Sequence, residues 1–280
     1  MKQRVITALI LAPLVVLGIF KLPLTIFIIA LSFITLLGFW EWTQFIDLKY
    51  RISSLIPPVI LGGLSLYLLT PQLSMTHDVS PLCSVLLWVG SGWWVLASYF
   101  AMTYPASSRY WSHSKWLKQI FGLFTLLPFF WSVVLLRTED MAQDFTYGAK
   151  LVLFVCLVVW IADSGAYFAG RFLGKHKMAP RVSPNKTLEG LAGGVFTAVI
   201  AAYFLSGWFD IHFTSHSSMF VIILCTVIFS VLGDLVESMF KRMSGIKDSS
   251  HLIPGHGGVL DRIDSLTAAF PVFAFLYFQL

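Results

Sequence analysis

The chain has 280 residues, of which 57% are hydrophobic and only 12% are charged, and its formal net charge is +5. A water-soluble globule of this size could not hide so much apolar side chain, because its surface must face water. The composition therefore excludes an ordinary cytosolic enzyme, a nucleic-acid-binding domain and a disordered protein.

Apolar runs follow one another along the chain, with short polar segments between them. Their length suits helices that cross the hydrocarbon core, and runs such as LVLFVCLVVWIA lack the alternation of a membrane β-barrel. We therefore predict an all-α polytopic membrane protein with about nine transmembrane helices. The predicted spans are 5–20, 22–40, 55–70, 82–102, 120–136, 151–168, 188–206, 219–239 and 266–280.

The distribution of basic residues predicts the orientation of these spans. Lysine and arginine accumulate in cytoplasmic loops. With the N-terminus in the cytoplasm, nine spans place 16 of the 19 basic residues on the cytoplasmic side, and only Lys21, Arg137 and Lys150 lie outside. We therefore predict a cytoplasmic N-terminus. The simple length and the lack of a targeting extension suggest an integral protein of a bacterial inner membrane.

The predicted spans fall into two regions that differ in chemistry. Residues 1–150 hold about five spans and few polar residues inside them, whereas residues 151–280 hold nearly all of the polar chemistry. We therefore predict a C-terminal catalytic region with cytoplasmic loops at 169–187 and 240–265, and a catalytic site at the cytoplasmic interface.

Carboxylates inside predicted spans are costly and therefore indicate function. Asp163 lies in the sixth span and Asp234 and Glu237 in the eighth, all near the cytoplasmic ends, and Glu189 begins the seventh span at the same depth. The spacing of Asp234, Glu237 and Lys241 places them on one helical face. A carboxylate–lysine pair that only neutralises the helix end remains an alternative for Asp234 and Glu237.

The loop 169–187 contains five basic residues and no acid. Topology, or attraction to anionic lipid headgroups, could explain part of this charge. The sequence SPNKTLEG also resembles a helix start, with Thr187 as the cap. Because a helix N-terminus beside a lysine is a good phosphate site, we predict that Lys186 contacts a phosphate.

The segment 240–265 combines basic residues, glycines and aspartates. Glycines let backbone amides approach an anion, and aspartate oxygens are the ligands that Mg²⁺ prefers. Together these features suggest metal-assisted chemistry on a phosphate. Two alternatives stay open: Asp264 with Ser265 could cap the ninth helix, and His256 could be a loop histidine with satisfied hydrogen bonds.

The same segment resembles the signature of the phosphatidate cytidylyltransferases, the integral-membrane CDP-diacylglycerol synthases. Upstream, ADSGAYFAGRFLGKHK and SPNKTLEG also resemble this family in the expected order. The resemblance covers roughly residues 160–265, and the first 150 residues are similar only as a set of hydrophobic spans. The residues that carry the signature are Ser238, Lys241-Arg242, Lys247-Asp248, His256-Gly257-Gly258, Asp261-Arg262 and Asp264.

The resemblance implies a reaction, a cofactor and an assembly. The phosphate of phosphatidic acid attacks the α-phosphorus of CTP, so that CDP-diacylglycerol forms and pyrophosphate leaves. The family requires a divalent metal, normally Mg²⁺, and a second metal ion stays open. The expected partners are CTP, phosphatidic acid, membrane lipids and a second copy in a homodimer, with no nucleic acid.

The resemblance and the side-chain chemistry together assign the candidate site. The predicted catalytic residues are Asp234, Asp261, Lys247 and His256. The residues predicted to bind substrate phosphates are Lys186, Lys241, Arg242, Arg262, Ser183, Gly257 and Gly258. The predicted metal ligands are Asp234, Asp261, Asp264 and Asp248, with Asp163, Glu189 and Glu237 in supporting positions.

Two other functions compete with this interpretation. A CTP-dependent polyprenol or phytol kinase would share the membrane setting and the nucleotide, but it would release CDP instead of pyrophosphate. An ion-coupled transporter would also carry intramembrane acids and helix-breaking glycines. The acids here cluster at one membrane face instead of the midplane, which favours the cytidylyltransferase.

Overall fold

The computed structural model describes residues 2–46 and 49–280. Within these residues the chain forms nine α-helices and one two-stranded antiparallel hairpin. The helices are α1 (Lys2–Lys21), α2 (Leu24–Ile46), α3 (Arg51–Leu69), α4 (Pro81–Met102), α5 (Lys115–Thr138), α6 (Tyr147–Leu173), α7 (Leu188–Phe209), α8 (His216–Met243) and α9 (Leu260–Gln279), and the strands are β1 (Lys177–Ala179) and β2 (Ser183–Thr187).

The predicted fold class, an all-α polytopic membrane protein, is confirmed. Helices α2–α8 are long and apolar enough to cross a membrane, and α1 contributes a shorter apolar stretch, Leu9–Lys21. Helix α9 carries charged residues in its first two turns and is mostly apolar from Leu266 onward. The orientation of the helices in the membrane stays a prediction.

Several helices extend past the spans that the sequence predicts. Helix α6 continues to Leu173, α8 to Met243, and α9 begins at Leu260 instead of residue 266. Hydropathy detects only the apolar part of a helix, whereas backbone hydrogen bonding continues into the polar ends. The predicted loop 169–187 is therefore mostly a hairpin, and the predicted loop 240–265 shrinks to residues 244–259.

Small residues let the helices around the site approach closely. A Cβ on Gly193 of α7 would lie 2.2 Å from the Cβ of Ala169 on α6, and a Cβ on Gly233 of α8 would lie 2.8 Å from the Cβ of Ala268 on α9. Close packing through small residues is typical of membrane helices. Gly233 precedes Asp234, so this close approach sets the distance between α9 and the acidic face of α8.

The N-terminal helices pack directly against those of the predicted catalytic region. Helix α5 is buried over most of its length and contacts α2 and α4 as well as α6 and α9. Helix α4 packs against both α8 and α9. Elements from residues 1–150 therefore help to position the polar segments of residues 151–280.

Candidate active site

The polar face of α8 contacts the start of α9 through one lysine. Lys241 pairs with Glu237 one turn earlier on the same helix, and its Nζ donates to Oδ1 of Asp261 at 2.9 Å. Glu237 is therefore part of the carboxylate–lysine pair that was the alternative to a functional role. The contact between Lys241 and Asp261 also links α8 to α9 at the predicted cytoplasmic end.

Lys186 of β2 reaches the same face of α8 one turn deeper. Its Nζ lies 2.7 Å from Oδ2 of Asp234 and donates to the carbonyl oxygen of Val231 at 3.0 Å. Asp163 of α6 and Asp264 of α9 are close enough for their charges to interact with Lys186 and Asp234. We call Asp163, Asp234 and Asp264 the acidic cluster. Three carboxyl groups, each from a different helix, thus interact with the ammonium group of Lys186.

The hairpin that carries Lys186 is fastened at several points. Thr187 caps α7, as predicted, because its hydroxyl accepts from the backbone N–H of Gly190 at 3.1 Å. Glu189 faces the start of the hairpin, where it accepts from the backbone N–H groups of Lys175 and His176. Glu189 therefore holds the hairpin instead of joining the acidic cluster.

Two other predicted phosphate contacts lie beside the hairpin. Ser183, at the start of β2, is half-buried and pairs with Ala179. Arg242 of α8 is exposed, and its Nε donates to the carbonyl oxygen of Val182 at 3.1 Å. Arg242 thus fastens the hairpin to α8.

Residues 244–259, which we call the glycine loop, connect α8 to α9. Asp261 in the first turn of α9 holds this loop, since its Oδ2 accepts from the backbone N–H groups of Ser249 at 2.8 Å and Gly258 at 2.7 Å. With Lys241 on Oδ1, both oxygens of Asp261 have protein donors. Asp261 therefore stabilises the conformation of the glycine loop.

The two consecutive glycines of this loop sit where a side chain would collide. Gly257 has φ +82°, and a Cβ there would lie 2.5 Å from Oδ2 of Asp261. A Cβ on Gly258 would lie 2.1 Å from Oγ of Ser249. Glycine is required at both positions because only it avoids these contacts, and at Gly257 also because of the positive φ.

His256 differs from the satisfied loop histidine that was the alternative for this residue. Its backbone N–H donates to the carbonyl oxygen of Ile253 at 2.9 Å, but its Nδ1 is buried and has no hydrogen-bond partner among the described residues. Buried polar atoms are nearly always paired. The buried Nδ1 atom of the imidazole is therefore available to bind another group.

Asp264 does not cap α9, because the helix begins four residues earlier at Leu260. The Oδ1 of Asp264 accepts from the backbone N–H of Ser265 at 2.7 Å. Lys247 and Asp248 are exposed in the glycine loop, and Arg262 is exposed on α9. The structure thus brings together Asp163, Lys186, Asp234, Lys241, Asp261 and Asp264, and Asp248 lies beside Gly257 next to this group.

A cavity of about 510 Å³ opens beside the acidic cluster. Its walls are mostly apolar and come from α1, α2, α5, α6 and α9, whereas one end is polar. Its volume is in the range of ligand sites, and the sequence did not predict it. The polar end is lined by Asp163, His256, Asp261, Arg262, Asp264 and Ser265.

Glu41 of α2 is a buried acid that the sequence analysis missed. It is 0% exposed and accepts four hydrogen bonds from residues 249–260. The sequence does contain a signal for Glu41, because an acid in the apolar run GFWEWTQFI is as unusual as the acids of the later spans.

Comparison with known proteins places this geometry in context. The model of the cytidylyltransferase family matches residues 2–280. The chain is 44% identical to a phosphatidate cytidylyltransferase of Haemophilus influenzae over 99% of both chains, and 40% identical to one of Pseudomonas aeruginosa over 99% of this chain and 96% of the relative. A protein of the same name from Bacillus subtilis is 46% identical over 48% of each chain.

Proposed function

We propose, because the chain belongs to the cytidylyltransferase family, that it transfers the cytidylyl group of CTP to phosphatidic acid and releases pyrophosphate. The product is CDP-diacylglycerol, so the enzyme is a membrane nucleotidyltransferase of phospholipid biosynthesis. The observation that carries this proposal is the cavity. Its apolar walls suit acyl chains, and its polar end adjoins the acidic cluster and Lys186.

The reaction needs no nucleophile from the protein. An oxygen of the lipid phosphate attacks the α-phosphorus of CTP, a new P–O bond forms, and the bond to the β-phosphate breaks with pyrophosphate as leaving group. Both substrates are anions, so the protein must screen their repulsion and hold them in line. Transfer at phosphorus depends mainly on such positioning and electrostatic stabilisation.

The lipid binds with its tails in the cavity and its phosphate at the polar end. Arg262 lies at this end and offers a guanidinium, which pairs well with phosphate oxygens. His256 lines the same end, and its Nδ1, which has no partner among the described residues, can bind a phosphate oxygen after a rotation of the ring. These two side chains come from the glycine loop and α9, so the phosphate would sit at their junction.

The nucleotide approaches from the side of the hairpin and the glycine loop. Lys186 is half-buried between the hairpin and α8 and can reach an incoming phosphate with its flexible side chain. Arg242 at the end of α8 and Lys247 in the glycine loop are exposed, and they offer further positive charge to the triphosphate. In this arrangement CTP binds beside the hairpin and the lipid binds in the cavity, so the two substrates approach each other from different sides.

Mg²⁺ would fit the acidic cluster, because Asp163, Asp234 and Asp264 bring the carboxyl groups of three helices close to Lys186. The described residues contain no group of three metal-binding side chains at ligand distance. Mg²⁺ commonly takes only one or two carboxylates and completes its shell with water and substrate phosphates. Asp264 and Asp234 would hold the ion, which when bound neutralises charge on the triphosphate.

We also propose that the enzyme is a homodimer of a bacterial inner membrane. The relatives named above are bacterial, and seven helices suit a membrane. Helix α7 leaves large apolar side chains exposed, among them Phe196, Tyr203 and Phe204, and lipid or a second copy would cover them.

The proposal is tested with purified protein, phosphatidic acid in detergent micelles, Mg²⁺ and CTP labelled at the α-phosphorus. We expect the label in the lipid and one pyrophosphate per lipid product, and no turnover when Mg²⁺ is removed with EDTA. If phosphatidic acid gains no label, and labelled CDP is released when the micelles contain a polyprenol or phytol instead, the protein is a CTP-dependent kinase and the proposal is overturned.

A further inference from the structure

Glu41 lies far in sequence from the predicted site residues but in direct contact with the segment that carries several of them. It is on α2, 0% exposed, and both of its carboxylate oxygens are used. Oε1 accepts from the hydroxyl of Ser250 at 2.6 Å and the backbone N–H of Val259 at 2.9 Å. Oε2 accepts from the hydroxyl of Ser249 at 2.8 Å and the backbone N–H of Leu260 at 2.7 Å.

Two of these donors are the free amides at the N-terminus of α9. The first N–H groups of a helix have no partner within the helix, and Val259 at the cap position has no side-chain cap of its own. A carboxylate is favourable there because it also meets the positive end of the helix dipole. Glu41 therefore caps α9 from another helix.

The neighbouring contacts show that the loop is built around this carboxylate. A Cβ on Gly258 would lie 2.4 Å from Oε2 of Glu41, so only glycine lets the backbone approach it. Gln44, one turn later on α2, donates to the carbonyl oxygen of Ser249. The middle of the glycine loop, at Ser249 and Ser250, and its end before α9 are thus held to the same stretch of α2.

We propose that Glu41 is a positioning residue for cytidylyl transfer, which fixes the glycine loop and the first turn of α9 and thereby the placement of His256 and Asp261. This inference rests on the proposed function. Neither the reaction nor the signature in residues 238–264 requires an acid on α2. The first 150 residues would then contribute to the geometry of the reacting groups as well as to the membrane anchor.

The test compares Glu41→Gln with Thr35→Val. In Glu41→Gln one carboxylate oxygen becomes an NH₂ group that faces a backbone N–H, so at least one of the two cap bonds is lost. Thr35 is a matched control, because it is buried on the same helix and its hydroxyl donates only to the carbonyl oxygen of Leu31. Activity, thermal unfolding and hydrogen exchange of residues 249–260 are measured on each full-length variant in detergent.

We expect Glu41→Gln to lower kcat about tenfold or more while KM for phosphatidic acid changes by less than about twofold. The amides of Val259 and Leu260 should exchange faster, with little change elsewhere. Thr35→Val should keep kcat and the exchange of the loop, even if it unfolds at a lower temperature. A wild-type kcat in Glu41→Gln, or unchanged exchange of these amides, would overturn the proposal.

If Glu41→Gln does not yield folded protein, Ser250→Ala decides the question. It removes one donor to Oε1 and leaves the carboxylate in place, and we expect a loss of about threefold in kcat with faster exchange of the loop. Full activity and unchanged exchange in Ser250→Ala would then contradict the proposal. The two failures can be told apart, because hydrogen exchange does not depend on turnover. If the proposed function is wrong, the wild-type protein makes no product. If only this inference is wrong, the wild-type protein makes product but the Glu41 variant leaves the exchange of the loop unchanged.

Discussion

At the scale of single residues, Lys186 is the cation that the acidic cluster shares. Its Nζ is 2.7 Å from Oδ2 of Asp234, and its side chain is only 22% exposed. This placement suits a lysine that balances the carboxylates when the site is empty and meets a phosphate when CTP binds. A lysine that served only topology would have no reason to pair with Asp234 of α8.

Lys186→Gln should lower kcat/KM for CTP about 100-fold, which corresponds to ~2.7 kcal/mol and is typical of losing one electrostatic group in an active site. Lys175→Gln should lose less than about threefold, because Lys175 is exposed and its described contact, the backbone N–H to Glu189, survives the substitution. Steady-state rates at equal amounts of folded protein measure both. Equal, small losses would remove Lys186 from the site.

At the scale of the elements, the cavity is enclosed by several helices together and not by any one of them. Ala30 of α2 lines it together with residues of α1, α5, α6 and α9. Since no single sequence segment forms the cavity, a change of side-chain size on one wall tests whether the lipid enters it.

Ala30→Phe should raise KM for phosphatidic acid about tenfold, because the added ring occupies space that an acyl chain needs, and KM for CTP should stay within about twofold. The same substitution at Ala192, which is exposed on α7 and does not line the cavity, is the control and should change neither constant. Both constants are measured in mixed micelles. An unchanged KM for the lipid in Ala30→Phe would place the acyl chains elsewhere.

At the scale of the whole molecule, the orientation decides whether the site faces the cytoplasm, where CTP is. The predicted orientation puts the glycine loop inside and the α7–α8 turn outside. Ser249 is a poor probe of the loop because it is 1% exposed. Leu252 in the loop is 53% exposed, and Ser217 at the start of α8 is exposed too, so these two positions are suitable.

Single cysteines at positions 252 and 217 should react with a membrane-impermeant maleimide from opposite sides of the membrane. The background carries Cys225→Ala, because Cys83 and Cys156 are buried and only Cys225 is partly exposed. In intact cells we expect labelling at position 217 and, only after the membrane is opened, at position 252. Labelling of both positions in intact cells would refute the predicted arrangement of nine spans.

The sequence by itself determined the fold class, the approximate spans, the cap at Thr187 and the chemistry of the segment around residues 238–264, because each of these depends on neighbouring residues. Hydropathy is local, and so is the spacing of side chains on one helical face. The same locality explains the error at Asp264, which was considered as a cap because the hydrophobic run begins after it, while α9 begins at Leu260.

Only the tertiary structure decided which charges meet and where the cavity lies. Lys186 pairs with Asp234 across 48 positions of the chain, and Glu41 binds Ser249 across 208. Such pairs depend on how helices far apart in sequence pack, and small residues such as Gly233 and Gly258 set that packing by allowing close approach. The sequence shows which groups are available for the chemistry, whereas contacts between distant helices fix the geometry in which those groups can act.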